Sequence, residues 1–286
     1  LTVPSIKDAA RRIAVRLGMR RAILEAGKVA FPPGAPRVVQ VKVNGAQLLV
    51  LANEDVGRRI ALLRRYEPRD TRLLAGLVRN DDACIDVGAN TGYYTMLMAG
   101  RARRGTVHAF EPVALNLHLL RAGVALNGWS HVAANLAAAG DRDGTIDFSE
   151  AADGAYSSLL PVGRKAEMRR IEVPIVRLDT YLGCHGPKAD VMKVDVEGAE
   201  ALVLEGAAGL LADPGRRPRA VMLELVDRNL EVYRSSVPGI VERMAQFGYR
   251  PFYAGEDGRP RAFERAHANV YENVFFAQRA ADLGPA

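Results

Sequence analysis

The chain has 286 residues, 49% of them hydrophobic and 25% charged, and a formal net charge of +6. That size and balance fit one large α/β domain with an appendage. No apolar run approaches the roughly 20 residues that cross a bilayer, so no integral membrane segment is expected. The basic residues are scattered and only 6% of the chain is aromatic, which reads as a solvated surface and not as a nucleic-acid partner. Cys84 and Cys184 offer neither metal-ligand spacing nor a disulfide framework, and a cytoplasmic location is expected.

Residues 1 to about 30 read as an amphipathic helix, with Arg11, Arg12, Arg16, Arg20 and Arg21 opposite Ile13, Leu17 and Leu24. Pro32, Pro33 and Pro36 break it. Asn44-Gly45, between Val38 to Val43 and Gln47 to Leu51, signals a hairpin. A helical stretch follows over Arg58 to Val78, interrupted near Pro68. Residues 1–80 are thus expected to be an accessory region of helix and hairpin, able to supply a homo-oligomer contact, and residues 81–286 the main domain.

From Cys84 onward, strands alternate with helices. Strands are expected at Ile85 to Val87, Thr106 to Phe110, His131 to Ala137, Gly144 to Ser149, Ile171 to Val176, Val191 to Val194 and Ala220 to Leu225. Helices are expected from Tyr93 and over Val113 to Leu126, Gly198 to Leu211 and Pro238 to Phe247. Tyr249 to Tyr253 and Val270 to Ala277 close the pattern as two strands with no clear helix between them. This order implies a doubly wound, Rossmann-like α/β sheet, mostly parallel, with an antiparallel hairpin at one edge.

Ligands of such sheets bind at the carboxyl ends of the strands, where strand order reverses. The first core strand ends in Asp86-Val87-Gly88-Ala89-Asn90-Thr91-Gly92. Gly88 permits a sharp turn, Gly92 opens a helix, and the loop is expected to offer free backbone N–H groups to a carboxylate. The next strand ends at Glu111-Pro112, where an acid can accept hydrogen bonds from both ribose hydroxyls. These features suit a nicotinamide dinucleotide or S-adenosylmethionine. The Gly-x-x-x-Gly spacing lacks the middle glycine that pyrophosphate needs, and Asp86 could meet a methionine ammonium, so S-adenosylmethionine is favoured. An NAD-dependent oxidoreductase is the alternative.

A third block, Lys193-Val194-Asp195-Val196-Glu197-Gly198-Ala199-Glu200, places Lys193 and Asp195 on one side of a strand tip, and Glu224 ends the following strand. Together with Ile85 to Thr95, Val107 to Asn116, Val173 to Leu182, Val203-Leu204-Glu205-Gly206 and Ala220 to Glu224, this block resembles the FkbM family of class I methyltransferases. The resemblance runs from about Cys84 to Phe276. It implies methyl transfer from S-adenosylmethionine, most often to a hydroxyl of a sugar, glycan or natural product, with N-methylation as a variant. It also implies that Asp86, Gly88, Ala89, Asn90, Gly92 and Tyr93 line the methionine end, that Glu111 and Pro112 hold the ribose, and that Ala138 and Ala139 flank the adenine.

A hydroxyl is a poor nucleophile until its proton is removed, and a carboxylate within reach can take it. Asp195 is the first candidate for that role and also borders the cofactor; Glu197 and Glu224 are the alternates. His108 and His185 are competing bases. Lys193 and Glu197, with Tyr156 and Ser157 in the insertion before Ile171, are candidate acceptor contacts. Asp195 and Glu224 could bind Mg²⁺, but no ligand cluster at diagnostic spacing supports it, and no metal is expected.

Overall fold

A computed structural model describes residues 36–151, 168–186, 188–268 and 270–284. The helix expected over residues 1 to about 30 lies outside them. β1 (Val38–Val43) and β2 (Ala46–Leu51) form the expected hairpin, with Asn44 and Gly45 at φ 52° and 86°. Two positive φ values give the turn whose twist matches a two-residue hairpin. The following helical stretch divides into α1 (Asp55–Leu63) and α2 (Pro68–Leu77). Pro68 has no N–H to continue a helix, but fits the first turn of a new one.

The first half of the main domain is β3 (Ala83–Val87), α3 (Tyr93–Arg101), β4 (Thr106–Phe110), α4 (Ala114–Leu126) and β5 (Val132–Asn135). β6 (Ala138–Ala139), β7 (Gly144–Ala151) and β8 (Met168–Val176) then make a separate three-stranded sheet, ordered β6-β8-β7. The second half is α5 (Leu178–His185), β9 (Val191–Val194), α6 (Glu200–Gly206), α7 (Ala208–Ala212), β10 (Ala220–Glu224), α8 (Asp227–Leu230), α9 (Val237–Gln246), β11 (Arg250–Ala254), β12 (Pro260–Ala262) and β13 (Asn273–Ala277).

The main sheet runs β12-β11-β13-β10-β9-β3-β4-β5. β10, β9, β3, β4 and β5 are parallel, while β13 is antiparallel to both neighbours. β11 and β13 pair as expected, and β13 is the inner of the two, lodged between β10 and β11. Its five residues, Asn-Val-Phe-Phe-Ala, are all buried, which suits an interior strand. From β3 the chain winds outward to β5, then returns to β9 on the other side of β3. Strand order therefore reverses between β3 and β9, and their carboxyl ends open a cleft.

Apolar clusters cover both faces of the sheet. One joins Leu97 and Leu120 of α3 and α4 to Leu48 and Val50 of the hairpin and Leu73 and Leu74 of α2. The other joins Leu182, Leu204, Ile240 and Met244 of α5, α6 and α9 to Ile85, Met192 and Phe276 of the strands.

Candidate active site

A cleft of about 380 Å³ lies at this reversal point, within the range of small-molecule sites. Its floor is Gly88, Ala89, Asn90 and Thr91, followed by Tyr93 and Tyr94. Glu111 and Pro112 border it from β4, and Phe110, Ala137, Ala138, Ala139 and Phe148 give it an apolar end. Lys193, Asp195, Glu197 and Glu224 border it from the carboxyl ends of β9 and β10.

The loop's backbone N–H groups are hydrogen-bonded within the protein. Gly88 N–H and Ala89 N–H both donate to the Phe110 carbonyl at 3.0 Å, Asn90 N–H to Glu111 Oε2 at 2.7 Å, Thr91 N–H to Asn90 Oδ1 at 2.6 Å, and Gly92 N–H to the Ala89 carbonyl at 2.9 Å. The expectation of free loop N–H groups is therefore corrected: a loop this buried satisfies its own donors. Helix geometry leaves the N–H groups in the first turn of α3 without an intrahelical partner.

The two glycines serve packing. Gly88 has φ 71°, and a Cβ there would meet the Asp195 carbonyl oxygen at 1.8 Å. The Gly88 loop and the tip of β9 touch backbone to backbone because residue 88 has no side chain. Gly92 has φ 95°, and a Cβ would meet Leu120 Cγ at 2.9 Å. Gly92 does not border the cleft; it lets α4 approach the start of α3.

Glu111 is clamped from both sides. Oε2 takes the Asn90 N–H, and Oε1 accepts from Val113 N–H at 2.9 Å. Burial raises its pKa to about 7, against the pull of those two N–H groups.

Asp86 stands behind the cleft wall. It is fully buried, its Oδ2 accepts from Thr95 Oγ1 at 2.6 Å, and its Oδ1 faces Lys193 Nζ at 3.5 Å. The contact from Asp86 to a ligand ammonium expected from sequence is replaced by this contact to a protein ammonium. Lys193 is itself only 3% exposed; Nζ donates to the Gly88 carbonyl at 2.9 Å and pairs with Asp195 Oδ2 at 3.2 Å. Burial alone would lower the Lys193 pKa, but Asp195 and Asp86 outweigh it and the net shift is upward. Lys193 is a fixed cation tying β3, the loop and β9 together.

Beyond it the site is acidic. One oxygen each from Asp195, Glu197 and Glu224 lies within 4.8 Å of the others. No ligand spacing marks this set along the chain, because the three acids converge only when β9 and β10 pair. Such a set can share a proton or bind a divalent cation. Asp195 retains 32% side-chain exposure. Glu224 is raised well above the ordinary carboxylate range, first by burial and then by the negative charges of Asp195 and Glu197. Glu197 sits at φ 54° and its Oε2 accepts from Asn229 Nδ2 at 2.8 Å. Glu200 does not border the cleft: its Oε1 accepts from Val196 N–H at 3.0 Å and Gly198 N–H at 3.2 Å, bracing the turn that carries Glu197.

Neither competing histidine borders the cleft. His108 Nδ1 lies 2.9 Å from Tyr181 Oη, and His185 stacks on the same ring at 4.2 Å. Tyr156 and Ser157 lie outside the described residues. Several lining residues escape a reading of the sequence: Asp55, Val56, Arg59 and Ile60 of α1, Tyr66, Tyr94, Arg228 and Glu272. The double aromatic Tyr93-Tyr94 directly after the loop is the one local signal for them.

A model of the Methyltransferase FkbM domain matches residues 86–251, more than half of the chain. The chain belongs to this family. A curated protein named Methyltransferase 1, from Beauveria bassiana (strain ARSEF 2860), is 26% identical over 146 residues, covering 44% of this chain and 59% of that protein. Among solved structures, Methyltransferase FkbM from Methylobacillus flagellatus KT aligns with 15% identity over 76% of this chain and 51% of its own, at a TM-score of 0.46. A SAM-dependent methyltransferase from Agrobacterium tumefaciens aligns with 12% identity over 87% of this chain and 72% of its own, at a TM-score of 0.47. The match thus spans little more than half the length of the curated relative and of the FkbM structure.

Family membership decides between the two cofactors weighed from sequence in favour of S-adenosylmethionine. The donor set agrees. An apolar wall and a clamped carboxylate have the chemistry that an adenine and a ribose call for. Among the described residues, no helix is long and apolar enough to cross a membrane.

Proposed function

We propose that the protein methylates a hydroxyl of a sugar, glycan or natural product, with carboxylate assistance. The observation that carries this reading is the position of Asp195: paired with Lys193 at 3.2 Å, partly open to the cleft, and within 4.8 Å of Glu197 and Glu224. S-adenosylmethionine supplies a methyl group already activated by positive sulfur. What the protein must add is alignment and removal of a proton.

In this reading Gly88, Ala89, Asn90 and Tyr93 border the methionine end, Glu111 accepts from the ribose hydroxyls beside Pro112, and Ala138 and Ala139 pack on the adenine. Asp195 accepts the hydrogen bond of the acceptor hydroxyl. Asp195, with Glu224 beside it, would take up the proton that the hydroxyl loses on methylation. Glu224 holds a proton more tightly than an ordinary carboxyl, first because it is buried and then because its acidic neighbours repel its charge. Lys193 keeps Asp195 oriented, and Glu197 supplies a further acceptor for a polyhydroxylated substrate. No metal is assigned a role. A reducing, cytoplasmic setting is part of the reading, supported by Cys84 and Cys184 both being free.

The test is transfer of labelled methyl from S-adenosylmethionine across a panel of glycans, hydroxylated natural products and amines. Label recovered as a methyl ether supports the reading. Label recovered only on nitrogen overturns the hydroxyl assignment and leaves the cofactor site standing.

A further inference from the structure

The residues that border the cleft from α1 and the turn after it precede the family-matched segment 86–251. How that turn is held is unusual. Tyr66 lies between Arg64 at φ 54° and Glu67 at φ 39°, both in the left-handed region that non-glycine residues adopt only at a cost. Nor does the Glu67 side chain cap α2, the helix it precedes. A turn with two strained residues depends on contacts from outside itself.

Those contacts come from two consecutive tyrosines at the start of α3, directly after the cofactor loop. Tyr93 Oη accepts the Tyr66 N–H at 3.1 Å, donates to the Tyr66 carbonyl at 3.1 Å, and lies 3.3 Å from Thr71 Oγ1 on α2. Asn44 Nδ2 of the hairpin reaches the same hydroxyl at 3.3 Å. One residue on, Tyr94 Oη donates to Glu67 Oε2 at 2.5 Å, and its ring lies 5.6 Å from Lys193 Nζ. So residue 93 holds residue 66, residue 94 holds residue 67, and both tyrosines and Tyr66 border the cleft.

We propose that Tyr93 and Tyr94 are positioning residues that key the Tyr66–Glu67 turn to the cofactor loop, making this turn a wall of the acceptor side whose order depends on the bound cofactor. The inference rests on the reading that the loop at Gly88 to Asn90 holds S-adenosylmethionine. Fixing that loop fixes the first turn of α3, and through two hydroxyls it fixes a turn that cannot hold itself. The accessory region would then be part of the acceptor site and not a separate module.

The probe is S-adenosylhomocysteine at saturation, and the readout is amide hydrogen exchange. In the wild-type protein the ligand should slow exchange at residues 88–92 and also, by about tenfold, at residues 64–71, where the Tyr66 amide reports directly on its bond to Tyr93. In Tyr94→Phe, protection at 88–92 should persist while protection at 64–71 falls away; in Tyr93→Phe, read at ligand concentrations that saturate that variant, protection at 64–71 should fall away as well. A purely structural hydroxyl would raise exchange with and without ligand alike, and leave the ligand-dependent difference intact. Protection confined to 88–92 in the wild type, or retained at 64–71 in both variants, overturns the proposal. If Tyr93→Phe does not fold, Tyr94→Phe carries the same comparison at Glu67. Absence of any protection at 88–92 in the wild type removes the cofactor reading itself, and this inference with it.

Discussion

Glu200→Gln isolates the cost of a buried charge in the turn that carries the active-site acids. Glu200 is fully buried; its Oε1 accepts two backbone N–H groups, and its Oε2 has no hydrogen-bond partner among the described residues. Glutamine has the same shape, can keep both bonds through Oε1, and carries no charge at any pH. Burial raises the Glu200 pKa from 4.5 to about 7, against the pull of the Val196 and Gly198 N–H groups. A folded-state pKa above the unfolded value means that this side chain contributes its full stability below the unfolded pKa, and loses it as pH rises through the folded one. The loss over that window is about 3 kcal/mol, from about 1.4 kcal/mol for each tenfold gain in proton affinity on folding. Glu67 and Glu111, also raised to about 7, tilt wild type and variant in the same direction and cancel in the difference. Guanidinium denaturation of both proteins from about pH 5 to about pH 8.5 reads that difference. The two should be nearly equal in stability at the acid end, and the variant should gain by about 3 kcal/mol at the alkaline end. A difference that stays constant with pH would refute the buried, proton-hungry Glu200 described here.

Gly88→Ala should lose both stability and cofactor binding, because its Cβ would strike the Asp195 carbonyl and φ 71° is unfavourable for alanine; a cost of several kcal/mol is expected by denaturation, and near-wild-type stability would count against the backbone contact. Glu111→Ala should weaken S-adenosylhomocysteine by about 10–100-fold in calorimetry, since it removes an acid and leaves Asn90 and Val113 N–H unpaired. Methyl transfer should rise with pH through the raised pKa of Glu224, whose ionised form takes a proton only above it, and Glu224→Gln should remove that limb of the profile. Chelation by EDTA should leave transfer unchanged if the three acids handle a proton; loss of activity, restored by Mg²⁺, would reassign them as metal ligands.

Much of the fold can be read from local pattern. Alternating strands and helices, the Asn44-Gly45 turn and the Gly88 loop each leave a signature within a dozen residues, and the structure follows them. The site is less legible where distant segments meet. Lys193 and Asp195 are recognisable as one face of one strand, but that face also holds Asp86, because β3 pairs with β9 and sets Asp86 beside Lys193. Asp86 thereby becomes a partner to a protein ammonium. The loop donors look free in the sequence because nothing local reveals that Phe110 and Glu111 take them. Glu224 meets Asp195 and Glu197 only across the β9–β10 pair, and Tyr66 meets Tyr93 across 27 residues through side-chain hydroxyl bonds that no periodicity encodes.

The most direct measurement is labelled methyl transfer by Asp195→Asn, on an acceptor that the wild type methylates, alongside calorimetry with S-adenosylhomocysteine. Asparagine keeps the size of Asp195 but cannot take the acceptor's proton. The expected result is a fall in turnover of about 100-fold or more, with cofactor affinity largely retained. Turnover at the wild-type rate with cofactor bound would contradict the assignment of the methyl-transfer chemistry to the tip of β9.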